Sequence, residues 1–265
     1  MLYGTCEKTL KIDGTEMDYV TFGKGEKTLI LLPGLSLQGV KGNGLSLAYM
    51  YRIFAKKYKV YVLDRKRDVP EGYTVRDMAE DTAKAMDMLG LSHAHIFGVS
   101  QGGMIAQYLA AEHPRLADKL VLAVTLSRQN ETVERAVGRW VELAGKRDHR
   151  GLVADILENM YSEAYVKKYR WLTPVLAKIA GRADLERFAI LAKACLTCDV
   201  YRELSAIRCP VLVLGGRQDR IVTGEASEEI AEALHCDLYM YDGLGHAAYE
   251  EAKDFNRRVY DFLKS

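Results

Sequence analysis

Short, largely apolar runs recur along this chain, and each is followed by glycine, proline or a polar residue. They continue for four or five residues without alternating between apolar and polar positions. This is typical of strands that are buried on both faces of a parallel sheet. The pattern therefore predicts six buried strands, at residues 28–32, 60–63, 95–99, 120–124, 211–214 and 238–241.

Apolar residues recur at helical spacing between these runs. Near the N-terminus, two further strand-like segments flank Asp13-Gly14, a pair that favours the tight turn of a hairpin. Alternating strands and helices predict an α/β fold, with a mostly parallel central sheet covered by helices on both faces. The hairpin strands are predicted at residues 7–12 and 17–22, and the helices at residues 75–89, 104–112, 227–234 and 254–263.

One long stretch interrupts the alternation of strands and helices. Residues 127–207 contain no strand-like run and show the spacing of four or five helices, one of which Pro174 should kink or divide. A stretch of about 80 residues is too long to be a simple connection within a sheet. We therefore expect an all-helical cap, or lid, at residues 127–207, inserted into a core domain made of residues 1–126 and 208–265.

The composition argues against several classes of partner. Lys plus Arg number 37 and Asp plus Glu number 36, so the formal net charge of +1 gives no electrostatic reason to expect nucleic acid or an anionic membrane. No apolar run approaches the ~18 residues of a membrane span. The first residues lack the basic start and apolar stretch of a signal peptide. We therefore expect a globular protein of the cytoplasm that acts on a small molecule.

The five cysteines do not indicate a metal or disulfide framework. Their number is odd, and the chain is too long for a disulfide scaffold. Cys195 and Cys198 form a CxxC pair, but the sequence has no second CxxC and no HxxxH to complete a zinc site. We interpret them as two thiols about one helical turn apart.

The chemistry is indicated by Gly98-Val99-Ser100-Gln101-Gly102, a G-x-S-x-G motif. It follows a predicted strand and precedes a predicted helix, which is the context of a nucleophile elbow. The turn is so tight that the positions two before and two after the serine must be small, as Gly98 and Gly102 are. The motif predicts that Ser100 is a nucleophile whose hydroxyl stands clear of the sheet.

A serine hydroxyl needs a base to take its proton before it attacks. His246 lies in the loop after the last predicted strand, the edge at which parallel sheets place their sites. The other histidines fall at helix ends or near the wrong end of the strand that carries the motif. They are His93, His95, His113, His149 and His235. We therefore expect His246 to be the general base.

The acid that orients the base should follow the preceding strand. Asp219 occupies that place, and its expected role is to hold the His246 tautomer and to stabilise the imidazolium. Asp237 and Asp242 are nearer to His246 in sequence, but we expect them to begin the last strand and to shape a turn. The resulting order of serine, aspartate and histidine is that of the α/β-hydrolases.

An oxyanion hole requires two backbone N–H groups. One is expected from Gln101, directly after the nucleophile, and the other from Leu35, in the loop after the first buried strand. Gly34 allows this loop to approach closely. The loop then continues through several glycines, and we expect it to form a wall of the site that could be mobile.

These residues together resemble the α/β-hydrolase superfamily over essentially the whole chain. Other segments that resemble the family are Pro33-Gly34 in the oxyanion loop, Asp64-Arg65 after the next strand, residues 207–219 leading to the acid, and residues 246–263 at the C-terminus. The resemblance implies hydrolysis through an acyl-enzyme that water attacks in a second step. It implies no metal or organic cofactor.

The sequence departs from the family pattern in two places. Proline stands where the family has histidine before Gly34, which puts the hydrogen bonding of the oxyanion loop in doubt. After Asp64 the chain reads RKRDVPEGY rather than a glycine-rich segment. Because Ser100 is the motif's nucleophile, the resemblance does not extend to the branches with an aspartate nucleophile, such as haloalkane dehalogenases and epoxide hydrolases.

Several functions use this arrangement, and the sequence leaves them open. The first is a serine hydrolase that cleaves a small carboxylic ester, thioester or lactone. The alternatives are a C–C bond hydrolase, a lyase or acyltransferase with the same triad, and a non-catalytic ligand-binding member of the fold. Substrate choice would lie in the cap, where Tyr161, Tyr165, Tyr169 and Trp171 could line a pocket or pack between helices. Near the oxyanion loop, Tyr49 and Tyr51 could likewise either line a pocket or serve in packing.

Overall fold

An eight-stranded sheet runs through the computed structural model, which describes residues 2–181 and 183–265. The strands are β1 (Cys6–Ile12), β2 (Thr15–Phe22), β3 (Lys27–Leu32), β4 (Tyr58–Lys66), β5 (Ala94–Val99), β6 (Ala117–Ala123), β7 (Val211–Gly216) and β8 (Asp237–Tyr241). Their order across the sheet is β1-β2-β4-β3-β5-β6-β7-β8. The strands β3 to β8 are parallel to one another, whereas β2 pairs antiparallel with both β1 and β4. The predicted α/β fold is therefore confirmed.

The N-terminal hairpin forms at the predicted turn. Asp13 and Gly14 both have positive φ, 48° and 80°, which suits the two-residue turns that match the twist of a hairpin. The prediction that all six apolar runs are buried on both faces is wrong for β8. That strand is the edge of the sheet and pairs with β7 alone among the described strands, so that Leu238 is 37% exposed.

Eleven α-helices are formed by the described residues. They are α1 (Gly44–Met50), α2 (Val75–Met88), α3 (Gln101–Glu112), α4 (Glu131–Gly145), α5 (His149–Met160), α6 (Glu163–Tyr169), α7 (Thr173–Ala180), α8 (Leu185–Cys195), α9 (Gly224–Leu234), α10 (Ala248–Glu251) and α11 (Phe255–Lys264). The sequence predicted α2, α3, α9 and α11, with α3 and α9 beginning three residues earlier than expected. It did not predict the short helices α1 and α10.

Two hydrophobic cores lie on opposite faces of the sheet. Ile30 and Ile96 belong to the core that contains buried residues of α2, α3, α9 and the cap helices α4 and α8. Their chain neighbours Leu29 and Phe97 belong to the core on the other face, with residues of α1 and α11. Successive strand residues alternate between the faces, which is why uninterrupted apolar runs were required.

The helices α4 to α8 lie between β6 and β7, in the stretch predicted to be a cap. Helix α4 packs against α5 and α8, and α5 packs against α7. Pro174 is the second residue of α7, and α7 directly follows a 3₁₀ turn, so the chain is divided there rather than kinked within a helix. The division into a core domain and a cap at residues 127–207 stays a prediction.

Candidate active site

Ser100 lies at the sharp turn between β5 and α3. Its backbone has φ 52° and ψ −120°, a conformation that non-glycine residues rarely adopt. A Cβ on Gly102 would lie 1.9 Å from the carbonyl oxygen of Leu32, and one on Gly98 would lie 2.4 Å from that of Gly102. The absence of side chains at these two glycines is therefore what allows β3, β5 and α3 to approach closely enough to form the turn.

The loops after β7 and β8 bring Asp219 and His246 to the same edge of the sheet. The Nε2 atom of His246 is 2.9 Å from the Oγ of Ser100, and its Nδ1 atom is 2.8 Å from Oδ2 of Asp219. His246 is 3% exposed and Asp219 is 8% exposed, so both contacts are shielded from bulk water. The three side chains named from the sequence thus form one continuous hydrogen-bonded chain.

Asp219 is held by its second carboxylate oxygen. Oδ1 accepts the backbone N–H groups of Ile221, at 2.8 Å, and Val222, at 3.0 Å. These bonds leave Oδ2 directed at His246. A carboxylate accepts only, so Nδ1 carries the proton in this contact, and the lone pair of neutral imidazole at Nε2 faces the serine hydroxyl.

The two acids considered and set aside from the sequence lie where expected. Asp237 begins β8. Asp242 follows that strand and forms an ion pair with Arg217, 2.8 Å between Oδ1 and Nε. Neither is the partner of His246 in the structure.

Other histidines have different partners. His93 contacts Asp118 and His113 contacts Glu80. His95 lies within β5 beside the ring of Tyr58, where burial lowers the pKa of its imidazole to about 4. A histidine in that position stays neutral near pH 7.

The loop after β3 lies against the nucleophile, as the oxyanion prediction requires. A Cβ on Gly34 would be 3.3 Å from Cβ of Ser100. Leu35 and Gln101 both line a cavity whose wall also includes Gly34 and Val99, next to Ser100. Gln101 is the first residue of α3, so its N–H has no acceptor within the helix. Oxyanion roles for these two N–H groups remain a prediction.

The loop is anchored rather than free along its length. Asp64 accepts the backbone N–H of Val40 at 2.9 Å, and Glu7 accepts those of Gly42 and Gly44 at 3.0 and 2.9 Å. The chain then enters α1 at Gly44, where we expected the loop to continue. The expected wall of the site is present, but these bonds attach it to β1 and β4.

Two contacts at the site were missed from the sequence. Arg65 donates from Nη2 to the carbonyl oxygen of Pro33 at 2.6 Å, directly before the glycine that packs on Ser100. The Gln101 side chain, 0% exposed, donates to the carbonyl oxygen of Leu191 in α8 at 2.7 Å. The sequence contained one signal for the contact of Arg65 with Pro33, because Arg65 is an arginine inside a strand that is otherwise largely buried.

A cavity of about 520 Å³ opens beside the nucleophile, between the core and the helices after β6. Its walls combine apolar side chains with a charged group formed by Asp64, Arg65 and Arg187. Tyr51 is buried against it, whereas Tyr49 is 59% exposed and does not line it. A volume of this size suits a small-molecule substrate.

The tyrosines of the cap form a stack. The ring centroids of Tyr161 and Tyr165 are 4.3 Å apart, and those of Tyr165 and Tyr169 are 4.5 Å apart. All three line a second cavity of about 710 Å³, and Tyr161 also lines the first. Trp171, which was considered with them, is 70% exposed and lines neither cavity.

The helices after β6 are joined directly to the loop that carries His246. The N–H of Ala247 donates to the carbonyl oxygen of Met160 at 2.8 Å, at the C-terminus of α5. Next to it, Ser162 donates from its backbone N–H to Glu251 at 2.9 Å, and Tyr161 donates its hydroxyl to Glu250 at 2.7 Å. Helix α5 therefore ends beside the predicted base.

The described residues form no metal-binding group around the cysteine pair. Cys195 and Cys198 are both buried free thiols, and burial raises the pKa of the Cys195 thiol to about 11. Across residues 2–181 and 183–265, no group of three or more potential metal-binding side chains comes together. No helix in the same residues is long and apolar enough to cross a membrane.

Comparison with known proteins gives the family. A family model described as alpha/beta hydrolase fold matches residues 41–253. The chain is 28% identical to RutD of Caulobacter sp. (strain K31), named as a carbamate hydrolase, over 89% of this chain and 90% of that protein. It is 23% identical to 3-oxoadipate enol-lactonase 2 of Acinetobacter baylyi, over 97% of this chain and 96% of that protein.

Solved structures have the same fold. The crystal structure of the enol-lactonase from Burkholderia xenovorans LB400 superposes with a TM-score of 0.85 at 22% identity, covering 97% of this chain and 100% of that one. An α/β-hydrolase enzyme from a deep-sea metagenome library, MGS-M2, gives the same TM-score at 20% identity. The family model, the sheet order and these superpositions agree, and the chain belongs to the α/β-hydrolase fold family.

Proposed function

We propose that this protein is a serine hydrolase that cleaves a small carboxylic ester, thioester or lactone. The observation that carries the proposal is the chain of contacts from Asp219 through His246 to Ser100, with distances of 2.8 and 2.9 Å. A base in contact with the hydroxyl, and itself oriented by a third group, is the arrangement that activates a serine nucleophile.

The proposed reaction has two steps. In the first, His246 accepts the proton of Ser100 as Oγ attacks the carbonyl carbon, and the imidazolium then protonates the leaving group. The N–H groups of Leu35 and Gln101 stabilise the oxyanion of the tetrahedral intermediate. In the second step, water gives its proton to His246 and attacks the acyl carbon, and the imidazolium then protonates Oγ of Ser100 as the bond to it breaks and the acid is released. Asp219 stabilises the imidazolium in both steps.

The named relatives support hydrolysis at an acyl carbon. One is named for a carbamate and the other for an enol-lactone. Both substrates present a carbonyl group bonded to a heteroatom, which this machinery attacks. The cavity of about 520 Å³ beside Ser100 supports a substrate of similarly modest size.

A panel of substrates tests the proposal. Purified wild-type protein is assayed against short-chain esters, a thioester, γ- and δ-lactones and a C–C hydrolase substrate, beside Ser100→Ala and the control Ser205→Ala. Ser205 is an exposed serine whose hydroxyl donates to the backbone carbonyl oxygen of Arg202. We expect hydrolysis of an ester, thioester or lactone that falls by several orders of magnitude in Ser100→Ala and is unchanged in Ser205→Ala.

Other outcomes point to other members of the fold. Turnover confined to the C–C substrate would replace ester cleavage with C–C bond hydrolysis by the same triad. Binding of panel compounds by the folded wild-type protein without any turnover would overturn the proposal in favour of a ligand-binding protein.

A further inference from the structure

Arg65 is a buried cation in the wall of the cavity beside the nucleophile. The residue is 6% exposed, lies near the end of β4 and lines the cavity together with Arg187 of α8. Its Nη2 donates to the carbonyl oxygen of Pro33 at 2.6 Å. Its Nε is buried and has no hydrogen-bond partner in the part of the chain that the structure describes.

The neighbouring acid does not neutralise this guanidinium by direct contact. The carboxylate of Asp64 accepts the backbone N–H groups of Val40 and Arg65, at 2.9 and 2.8 Å, and lies 3.5 Å from Nη2 of Arg187. No ion pair within 4.0 Å joins the Arg65 side chain to any described carboxylate. The group of Asp64, Arg65 and Arg187 therefore carries a net positive charge.

The second arginine adds to the positive charge. Arg187 is fixed by the backbone carbonyl oxygens of Arg65 and Lys66, at 3.1 and 3.0 Å. Burial lowers the pKa of the Arg65 guanidinium, the charge of Asp64 opposes this shift, and the charge of Arg187 adds to it. Arginine nonetheless stays protonated in proteins. Glu250, which also lines the cavity, is exposed and accepts the hydroxyl of Tyr161.

A buried charge is costly unless an opposite charge or hydrogen bonds compensate it. Asp64 offsets part of the charge without touching the guanidinium, and the one hydrogen-bond acceptor at the Arg65 guanidinium within the described residues is a carbonyl oxygen. A planar guanidinium suits a carboxylate, which can accept two parallel N–H bonds. The group is also connected to the reacting centre, because Pro33 directly precedes Gly34, which packs on Ser100.

We propose that Arg65, with Arg187 beside it, binds a carboxylate on the substrate, so that the preferred substrate is an ester or lactone that carries a free carboxylate. This inference rests on the proposed function for the reaction itself. Binding of the carboxylate by Arg65 is a separate property, and it is measured without turnover below.

A purely structural role for Arg65 predicts a different effect of its replacement on the kinetics. If Arg65 serves only to hold Pro33 and the oxyanion loop, its replacement lowers kcat for charged and neutral substrates alike. If it binds a carboxylate, replacement lowers kcat/KM mainly for the charged substrate. The informative quantity is therefore the ratio of kcat/KM for a hemiester to that for its isosteric carboxamide.

The substrates are the monoethyl esters of succinic, glutaric and adipic acid, each paired with the corresponding carboxamide. The three lengths place the carboxylate at three different distances from the scissile carbonyl. The variants are Arg65→Gln, Arg65→Lys and Arg187→Gln, with Arg135→Gln as a control at an exposed arginine of α4. Circular dichroism and melting temperature establish that each variant is folded.

We expect the wild-type protein to prefer one hemiester over its carboxamide. The ratio should fall about 10- to 100-fold in Arg65→Gln, the range expected for a lost charge-assisted hydrogen bond. It should fall less in Arg65→Lys and Arg187→Gln and stay unchanged in Arg135→Gln. The proposal is overturned if the wild-type protein shows no preference, or if folded Arg65 variants lose activity equally on both members of a pair.

Binding to Ser100→Ala separates this inference from the proposed reaction. Calorimetry with monoethyl glutarate and ethyl glutaramate measures recognition of the carboxylate without turnover. Tighter binding of the hemiester that is lost in Ser100→Ala/Arg65→Gln supports the carboxylate site even if no hydrolysis is found. Equal affinity for the two compounds contradicts it. If Arg65→Gln fails to fold, the lysine variant and Arg187→Gln still decide the outcome.

Discussion

Asp219 uses its two carboxylate oxygens for different purposes. One accepts two backbone N–H groups of the turn after β7, and the other accepts Nδ1–H of His246. The first set of bonds fixes the carboxylate, and the second fixes the ring. A nearly isosteric amide at this position would keep the packing and change only the second set, because its nitrogen can donate but not accept.

We expect Asp219→Asn to lower kcat by about 10³- to 10⁴-fold, since the amide favours the wrong imidazole tautomer. Steady-state kinetics on the best substrate of the panel measure this. The matched control is Asp242→Asn, which removes an exposed carboxylate after β8 that pairs with Arg217. Equal activity in the two variants would mean that Asp219 does not orient the base.

The strands and helices depend on close contacts between backbones as much as on the pattern of apolar residues. The elbow requires β3 and the start of α3 to be almost in contact, because the carbonyl oxygen of Leu32 occupies the space where Gly102 would carry a Cβ. Helix α3 is buried along most of its length between the sheet, α2 and the segments beyond β6, so it cannot move aside to make room.

Alanine substitutions at two helical glycines test this point. Gly102→Ala should destabilise the protein by about 3 kcal/mol or more, since the contact is with backbone, and should abolish turnover. Gly138→Ala, in α4, meets no atom within 4 Å and should be neutral or stabilising by up to about 1 kcal/mol. Denaturant unfolding measures both. A similar stability for the two variants would contradict the packing described for the elbow.

The sequence predicted those elements whose signal is local. Runs that are apolar on both faces identified the parallel strands, and the glycines around Ser100 identified the elbow. The exposed edge position of β8 was not predictable, because its four apolar residues look like those of a central strand until the pairing order is known. Helix α1 begins among glycines, and its N-terminal segment is held by Glu7 from a distant strand.

Contacts between distant segments account for most of what was missed at the site. The Gln101 side chain bonds to Leu191, and Arg65 bonds to Pro33, so neither partner can be found by spacing along the chain. Ser100, Asp219 and His246 were identified because strand order and loop position place them at one edge of the sheet. Their catalytic roles remain for experiment.

At the scale of the whole molecule, buried titratable groups couple stability to pH. His95 lies within the sheet, its Nδ1 is buried without a hydrogen-bond partner among the described residues, and burial lowers its pKa to about 4. In the unfolded chain a histidine titrates near 6.5. Between these values the unfolded state binds more protons, so the free energy of unfolding falls as the pH is lowered.

We expect this group to reduce the free energy of unfolding by about 3 kcal/mol between pH 6.5 and pH 4. Urea titrations at several pH values should show a smaller loss in His95→Phe, which fills the site with a ring that does not titrate. His93→Asn, at an exposed histidine with positive φ, is the matched control. Parallel curves for His95→Phe and the wild-type protein would rule out His95 as the cause.

The central claim, that Ser100 is an activated nucleophile, is tested most directly by covalent labelling. The wild-type protein and Ser100→Ala are treated with a fluorophosphonate probe and examined by intact mass and peptide mapping. The account predicts a single adduct on Ser100 of the wild-type protein and none on the variant. No adduct on the folded wild-type protein, or an adduct that persists in Ser100→Ala, would contradict it.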